Sequence, residues 1–276
     1  MWTSIPDPER FPTNLASGNG YRGINTLLLQ LEANERNFPV GYWATYNQFQ
    51  ALGQQVRRGE QSTQVVYYKQ VKKTRTNDQG KEETTTFPLL RTWNVFNISQ
   101  TDGPLADKYL SLPTIPTAID DGHDEFFNVI EATGADIQYG GNRAAYYRSP
   151  LDQIQIPKRD QFEDFSSFAD TLSHEAVHWS GAKHRLAREL TYAQEELVAE
   201  IGASFLLQAT GVPHPHLDNS ASYVASWLKA TIEGEDARFI FKAASLASTA
   251  VDFIMGFSKA NEEATELVTE VSSMAW

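Results

Sequence analysis

The stretch His174-Glu175-Ala176-Val177-His178 has residue types and spacing suited to hydrolysis. Residues four apart lie on one helix face a turn above each other, so both imidazoles can reach one Zn²⁺ at about 2.0–2.1 Å. Glu175 sits beside them, placed to take a proton from a water on that metal and not to ligate it. The chain has six His, so this spacing around a Glu is a specific signal. The bland alternative is a pair of surface histidines. There is no Cys, which excludes disulfides, thiolate ligands and a cysteine nucleophile. Any metal must be held by His and carboxylates, and a Cys-free chain suits a reducing cytoplasm.

A catalytic zinc needs a third protein ligand and an open fourth position. Two candidates compete. His184 completes His174-x-x-x-His178-x-x-Gly181-x-x-His184, the metzincin spacing. Glu196 lies 18 residues beyond His178, with Glu200 one turn further on the same face. That is similar to the gluzincin arrangement, in which a second helix offers a Glu ligand and a later carboxylate orients a ligand His. Metzincins carry a Met-turn, whereas the only downstream methionines are Met255 and Met274, far from the motif. Glu196 is therefore favoured as ligand and Glu200 as its supporting carboxylate, and Arg185 and Arg188 read as a solvated segment after His184. Tyr146, Tyr147 and Tyr223 are candidate donors to the oxyanion of a tetrahedral intermediate, and their types do not choose among them.

The motif needs a helix, and residues 162–180 supply one: Phe165, Phe168, Leu172 and Val177 recur at helical spacing before Gly181. Residues 192–210 repeat the pattern with Leu197, Ile201 and Phe205, ending at Gly211 and Pro213. Residues 220–231 and 236–257 read as further helices. Before the motif, Gln153-Ile154-Gln155-Ile156 alternates as a half-exposed strand at a sheet edge, where an extended peptide could pair. Earlier, residues 24–31 form a Leu-rich helix, and Thr45 caps a second helix over 46–52. Residues 64–69 and 91–97 are β-branched and aromatic, with a basic hairpin excursion over 72–81 between them. The order is α+β rather than alternating βαβ.

The net charge of −12 divides unevenly. Residues 1–115 carry +2 and residues 116–276 carry −14, and the Pro- and Gly-containing stretch 101–116 reads as the linker. Two domains follow, 1–115 and 116–276. Residues 239–257 are the most apolar segment, but Lys242 and Asp252 interrupt it, and the N-terminus lacks the basic-then-apolar order of a signal peptide. A soluble protein is expected.

Taken together, the motifs resemble the ArdC antirestriction family of plasmids and phages. In the first half the resemblance rests on Tyr21-Arg22-Gly23-Ile24-Asn25, Trp43-Ala44-Thr45-Tyr46-Asn47-Gln48, Val56-Arg57-Arg58-Gly59-Glu60 and Val95-Phe96-Asn97-Ile98-Ser99-Gln100. In the second it rests on Asp152-Gln153-Ile154-Gln155-Ile156-Pro157, the motif helix, Glu195-Glu196-Leu197-Val198-Ala199-Glu200 and Ala221-Ser222-Tyr223-Val224-Ala225-Ser226-Trp227-Leu228. The resemblance implies a small mixed α/β domain with an antiparallel sheet that binds single-stranded DNA. It further implies a mainly helical, zincin-like domain of gluzincin type with one Zn²⁺, in a cytoplasmic bacterial protein that helps incoming DNA survive restriction during conjugation and could be transferred to the recipient cell. Its partners would be single-stranded DNA and a protein or peptide substrate, such as a restriction-system component, with no membrane involved. Relatives carry a further helix before the Trp-containing segment, whereas this sequence opens at Met1-Trp2, and His184 stands where the resemblance implies no ligand.

Single strands are held by a positive groove with aromatic faces on which bases stack. Arg57, Arg58, Lys69, Lys72, Lys73 and Arg75 supply charge, and Trp43, Tyr67, Tyr68 and Trp93 supply faces. The competing reading packs these aromatics inside a small sheet. Two other functions stand beside the leading one. The acidic second half could mimic DNA and occupy restriction enzymes, with a non-catalytic zinc. Alternatively, a plain zinc peptidase could use its first half to bind protein partners.

Overall fold

A computed structural model describes residues 11–76, 82–111, 121–141, 144–213, 215 and 239–273, with backbone alone for 68–76, 82–90, 121–122 and 261–273. The first half contains β1 (Thr13–Asn14), α1 (Ile24–Glu35), β2 (Tyr42–Thr45), α2 (Tyr46–Ala51), β3 (Gln55–Val56), β4 (Thr63–Thr76), β5 (Glu82–Asn97), β6 (Thr101–Asp102) and α3 (Pro104–Leu110). The sheet order is β1-β2-β5-β4. It is antiparallel except where β1 runs parallel to β2. The β4–β5 ladder runs unbroken from Thr63↔Val95 to Thr76↔Glu82, so the basic stretch from Lys72 to Thr76 is strand and not turn. Thr74 and Thr76 there, opposite Thr84 and Glu82, are β-branched residues that suit a strand. The turn expected within residues 77–81 lies outside the described residues.

Period-two alternation divides the sheet's faces. Trp43, Val65 and Val95 pack with Leu29 of α1 on one side. Tyr42, Ala44 and Phe96 pack with Phe49 and Ala106 on the other. Thr45 caps α2 through a reciprocal bond with Gln48, as its sequence predicts. Residues 101–110, read as linker, instead form β6 against β3 and then α3, which Pro104 opens at a first-turn position.

The second half contains α4 (Asp121–Ala132), β7 (Asp136–Tyr139), β8 (Tyr146–Arg148), β9 (Gln153–Ile156), α5 (Phe165–Ser180), α6 (Tyr192–Ala209) and α7 (Phe239–Ser273). Its sheet order is β7-β9-β8. β9 is thus central, parallel to β7 and antiparallel to β8, which corrects the expectation of an edge at residues 153–156. Ile154 and Ile156 fill the core, and the polar Gln153 and Gln155 that suggested an edge bond to Asp136, Gln138 and Gly140. The helix expected at 220–231 lies outside the described residues.

α6 lies between α5 and α7, which is why it is buried nearly all round. The segment Phe239–Ala260 of α7 is long and apolar enough to cross a membrane by length and composition alone, a closer approach to a span than its interrupting charges predict. Ala243, Ala244, Ala247, Ala250, Val251 and Ile254 are buried against the protein's own core, so the apolarity is accounted for by packing.

α1 joins the two cores. Leu29 faces the first sheet, whereas Leu27, with Ile24 and Leu31, faces the helices of the second half. The Asn25 side chain bonds the backbone of Val66 on the edge strand β4 in both directions, at 2.8 and 2.7 Å. Just before the helix, Gly23 N–H donates to Ser248 Oγ at 2.8 Å and Arg22 pairs with Asp252, both on α7. The left-handed φ of 58° at Gly23 lets the chain enter α1 while lying on α7.

Candidate metal centre

α5 starts at Asp164, whose carboxylate accepts from Ser167 N–H at 2.8 Å, and it buries Phe168 and Leu172 on the sheet side. One turn apart on its other side, His174 and His178 bring their Nε2 atoms to 3.0 Å. Glu196 reaches them from α6, with one carboxylate oxygen 3.7 Å from His174 Nε2 and the other 3.4 Å from His178 Nε2. One ligand atom from each of the three residues lies within 4.8 Å of the others. Donors about 2.0–2.1 Å from a tetrahedral ion stand roughly 3.3 Å apart, so the three residues fit a divalent metal with a position left for water.

Gly202 of α6 sets how closely the two helices approach. A Cβ there would lie 2.7 Å from Val177 Cγ2, and Val177 is a stiff β-branched residue next to His178. Gly202→Ala is therefore expected to destabilise the fold by about 1–3 kcal/mol through overpacking. Urea unfolding measures this, and wild-type stability would show that the helices separate freely.

Outer partners orient both rings. Glu200 stands 3.5 Å from His174 Nδ1. Glu195, to which the sequence pattern assigns no role, stands 3.4 Å from His178 Nδ1. Its carboxylate is gripped by Arg188 at 2.5 and 3.1 Å. Arg188 also donates to Val177 O at 2.6 Å and to Ser180 Oγ at 2.9 Å, and its side chain is 3% exposed. A solvated segment was expected there. Instead the absence of a side chain at Gly181 makes room, since a Cβ would fall 2.6 Å from Arg188. Two arginines within ten residues of the motif, in the acidic half, were the available signal.

Burial, with help from neighbouring His178, lowers the His174 pKa to about 4, so the ring is neutral and ready to ligate. Burial, with Asp170 and Glu196 nearby, raises Glu200 to about 7. Glu175 is buried, which raises its pKa, and its carboxylate accepts the Tyr147 backbone N–H. Burial opposes ionisation of Glu195, but bonds to His178 and Arg188 outweigh it and hold that pKa low.

His184 is not part of the cluster. It is 61% exposed and meets Asp152 at 3.1 Å, so the metzincin alternative loses its third ligand. Tyr147 donates its hydroxyl to Asp152 at 2.8 Å, and the Tyr146 hydroxyl accepts from Arg148 at 2.8 Å. Tyr223 lies outside the described residues.

The nucleic-acid candidates separate in the same way. Trp43 is fully buried, edge-on to Phe38, and offers no face to a base, a correction that follows from its position on the α1-covered side of the sheet. Arg57 is committed within the fold, to Glu60 at 2.8 Å, Ser99 O at 2.6 Å and Thr101 O at 3.1 Å. Arg58 is exposed and lines a groove of about 540 Å³ together with Tyr46 and Phe96. Tyr67 and Trp93 are 47% and 53% exposed. The pairings Tyr67↔Arg91 and Val65↔Trp93 put Tyr67, Arg91 and Trp93 on one sheet face beyond the part that α1 covers. Lys72 and Lys73 lie on β4, and their side chains fall outside the described residues, as do those of Tyr68, Lys69 and Arg75.

Comparison with known proteins places both halves. A family model described as the N-terminal domain of anti-restriction factor ArdC matches residues 2–96, and one described as a zincin-like metallopeptidase matches residues 124–246. The crystal structure of the antirestriction ArdC protein from plasmid R388, metal-free, is 38% identical with a TM-score of 0.70, over 92% of this chain and 91% of that one. Its Mn(II)-bound form gives 35% and 0.66, over 90% and 93%. The uncharacterized protein y4eC of Sinorhizobium fredii is 35% identical over 88% of this chain and 80% of its own length. The DNA primase TraC of Escherichia coli is 35% identical over 90% of this chain, which spans only 24% of that protein.

Proposed function

The chain belongs to the ArdC family of antirestriction proteins, and from that premise we propose that it joins a single-strand DNA-binding module to a zinc-dependent peptidase and protects incoming DNA in the bacterial cytoplasm. The observation that carries the enzymatic part is the convergence of His174, His178 and Glu196 with a buried Glu175 on the same helix. The Mn(II)-bound relative supports a divalent ion at this place, and two imidazoles with one carboxylate in near-tetrahedral spacing suit Zn²⁺, one per chain. Such an ion, when bound, polarises a carbonyl and lowers the pKa of water. Glu175 takes the water's proton and returns it to the departing amine, and burial keeps its carboxylate basic enough for both tasks. β8 pairs only with β9 among the described residues and carries the N–H that holds Glu175, so its open side is where an extended peptide would add as a strand. That role passes to β8 from residues 153–156. A restriction-system protein is the substrate class that the family membership favours.

For DNA, the ledge of Tyr67, Trp93 and Arg91 offers stacking faces beside a cation, with Arg58, Lys72 and Lys73 as further charge. Binding of a fluorescein-labelled oligo-dT, followed by anisotropy, is expected to weaken as salt rises. The Tyr67→Ala/Trp93→Ala pair should weaken it at least tenfold, since each stacked base is worth about 1–3 kcal/mol. Equal affinity in the variant would remove the ledge from the reading. The DNA-mimic alternative draws less support, because Glu175, Glu195 and Glu196 line the metal centre and Asp152 and Asp252 are paired with Arg185 and Arg22.

A further inference from the structure

Asp152 caps the turn that joins β8 to β9 and holds a left-handed φ of 52°, a conformation in which glycine is the unstrained choice. A side chain kept there implies a use for it. Its two carboxylate oxygens both accept from Arg185 Nη2, at 2.6 and 2.8 Å, and one accepts the Tyr147 hydroxyl at 2.8 Å, with His184 Nε2 at 3.1 Å. Bonding to Arg185 above all holds its pKa at about 2, so it stays ionised throughout the working range.

Each partner leads back to the metal-bearing helix. Arg185 donates to Trp179 O at 3.0 Å, lies 3.7 Å over the Trp179 ring, and is nearly buried. Trp179 directly follows His178. Tyr147, from the other side, gives its backbone N–H to Glu175. The contacts form a closed circuit: Glu175 to Tyr147 on β8, Tyr147 to Asp152, Asp152 to Arg185, and Arg185 to the end of α5. β8 is three residues long and, among the described residues, bonded along one side only, so besides the packing of Ala145 and Tyr147 on the core it is this circuit that sets its distance from the helix.

We infer that Asp152 is a positioning residue for hydrolysis, clamping β8 to α5 through Arg185 and Tyr147 so that the Tyr147 N–H aims the Glu175 carboxylate. The inference rests on the peptidase reading above. It differs from a purely structural role in what its loss should change: the aim of the base, and not the metal ligands.

The test uses the full-length, zinc-loaded chain with fluorescein-labelled casein as probe. Asp152→Ala should lower kcat by about 10- to 100-fold, as misplacement of a reacting group by about an ångström does, with KM within about twofold. The Co²⁺-substituted protein should keep its visible spectrum, showing intact ligands, while the Tyr147 amide exchanges faster with solvent. Asp152→Asn should restore most of the turnover because it still accepts from Tyr147. Arg185→Ala should match Asp152→Ala, and the double variant should be no worse than either single one. Wild-type kcat and Tyr147 protection in Asp152→Ala would overturn the inference. So would loss of the Co²⁺ spectrum in step with turnover, which marks general disruption. If the wild-type chain and Glu175→Gln were equally inert, the peptidase reading would fail, while Tyr147 exchange would still decide whether the clamp exists.

Discussion

Glu175→Gln is expected to lower peptide hydrolysis by about 100- to 10,000-fold, the usual weight of a general acid–base group, while the protein keeps its metal. The substitution is close to isosteric, and the amide oxygen can still accept the Tyr147 N–H, so β8 and α5 stay in register. What disappears is a site that can hold a proton. Glu175 is no ligand in this geometry, since the three converging donors are His174, His178 and Glu196, and metal content should therefore be unchanged. Casein hydrolysis, with metal measured on the same preparation by mass spectrometry, checks both halves of the statement. Unchanged turnover would remove Glu175 from the mechanism. Loss of metal would mean that it ligates.

Removing a ligand should have the complementary result. His178→Ala and Glu196→Ala are each expected to weaken metal binding by more than about 100-fold, because even the outer partners of metal ligands are commonly worth about 10–100-fold. Glu195→Gln should fall within that smaller range, since Glu195 acts only by orienting His178. His184→Ala should leave affinity unchanged, as its ring meets Asp152 and lies outside the cluster. Calorimetric titration with Zn²⁺ ranks the four variants, and an effect of His184→Ala equal to that of Glu196→Ala would reinstate the metzincin ligand set.

The pH dependence of binding has a definite sign. His174, lowered to about 4, has no proton to lose near neutrality. Glu200, raised to about 7, is largely protonated below that value and should give up its proton as positive charge arrives next to His174. Affinity should thus rise with pH towards about 7, with proton release that Glu200→Gln removes. Titrations in buffers of different ionisation enthalpy measure that release.

Much of this was legible in one dimension because helical spacing is local. His174 and His178 had to share a face, and Glu196 and Glu200 had to share another, once residues 165–180 and 192–209 were helices. The cap at Thr45 was equally local. Burial was less legible. Trp43 and Tyr67 read alike as aromatic residues of strands, yet α1 covers the first and stops short of the second. Arg57 and Arg58 are neighbours, and only the carbonyls of Ser99 and Thr101, brought alongside by pairing of β3 with β6, reserve Arg57 for the fold. Strand order was invisible for the same reason. An alternating tetrapeptide suits an edge or a centre, and the neighbours that settle the matter, β7 and β8, come from elsewhere in the chain.

By itself, then, the sequence determined the ligand chemistry: without Cys, a metal could be held only by imidazole and carboxylate, and the spacing presented both. Tertiary structure decided which carboxylate faces the imidazoles, which arginines lie buried behind them, and that α1 belongs to two cores at once. The physical reason is range. Hydrogen bonding within a helix repeats every few residues and can be read along the chain, whereas burial and charge pairing depend on surfaces that meet only after the chain has closed on itself.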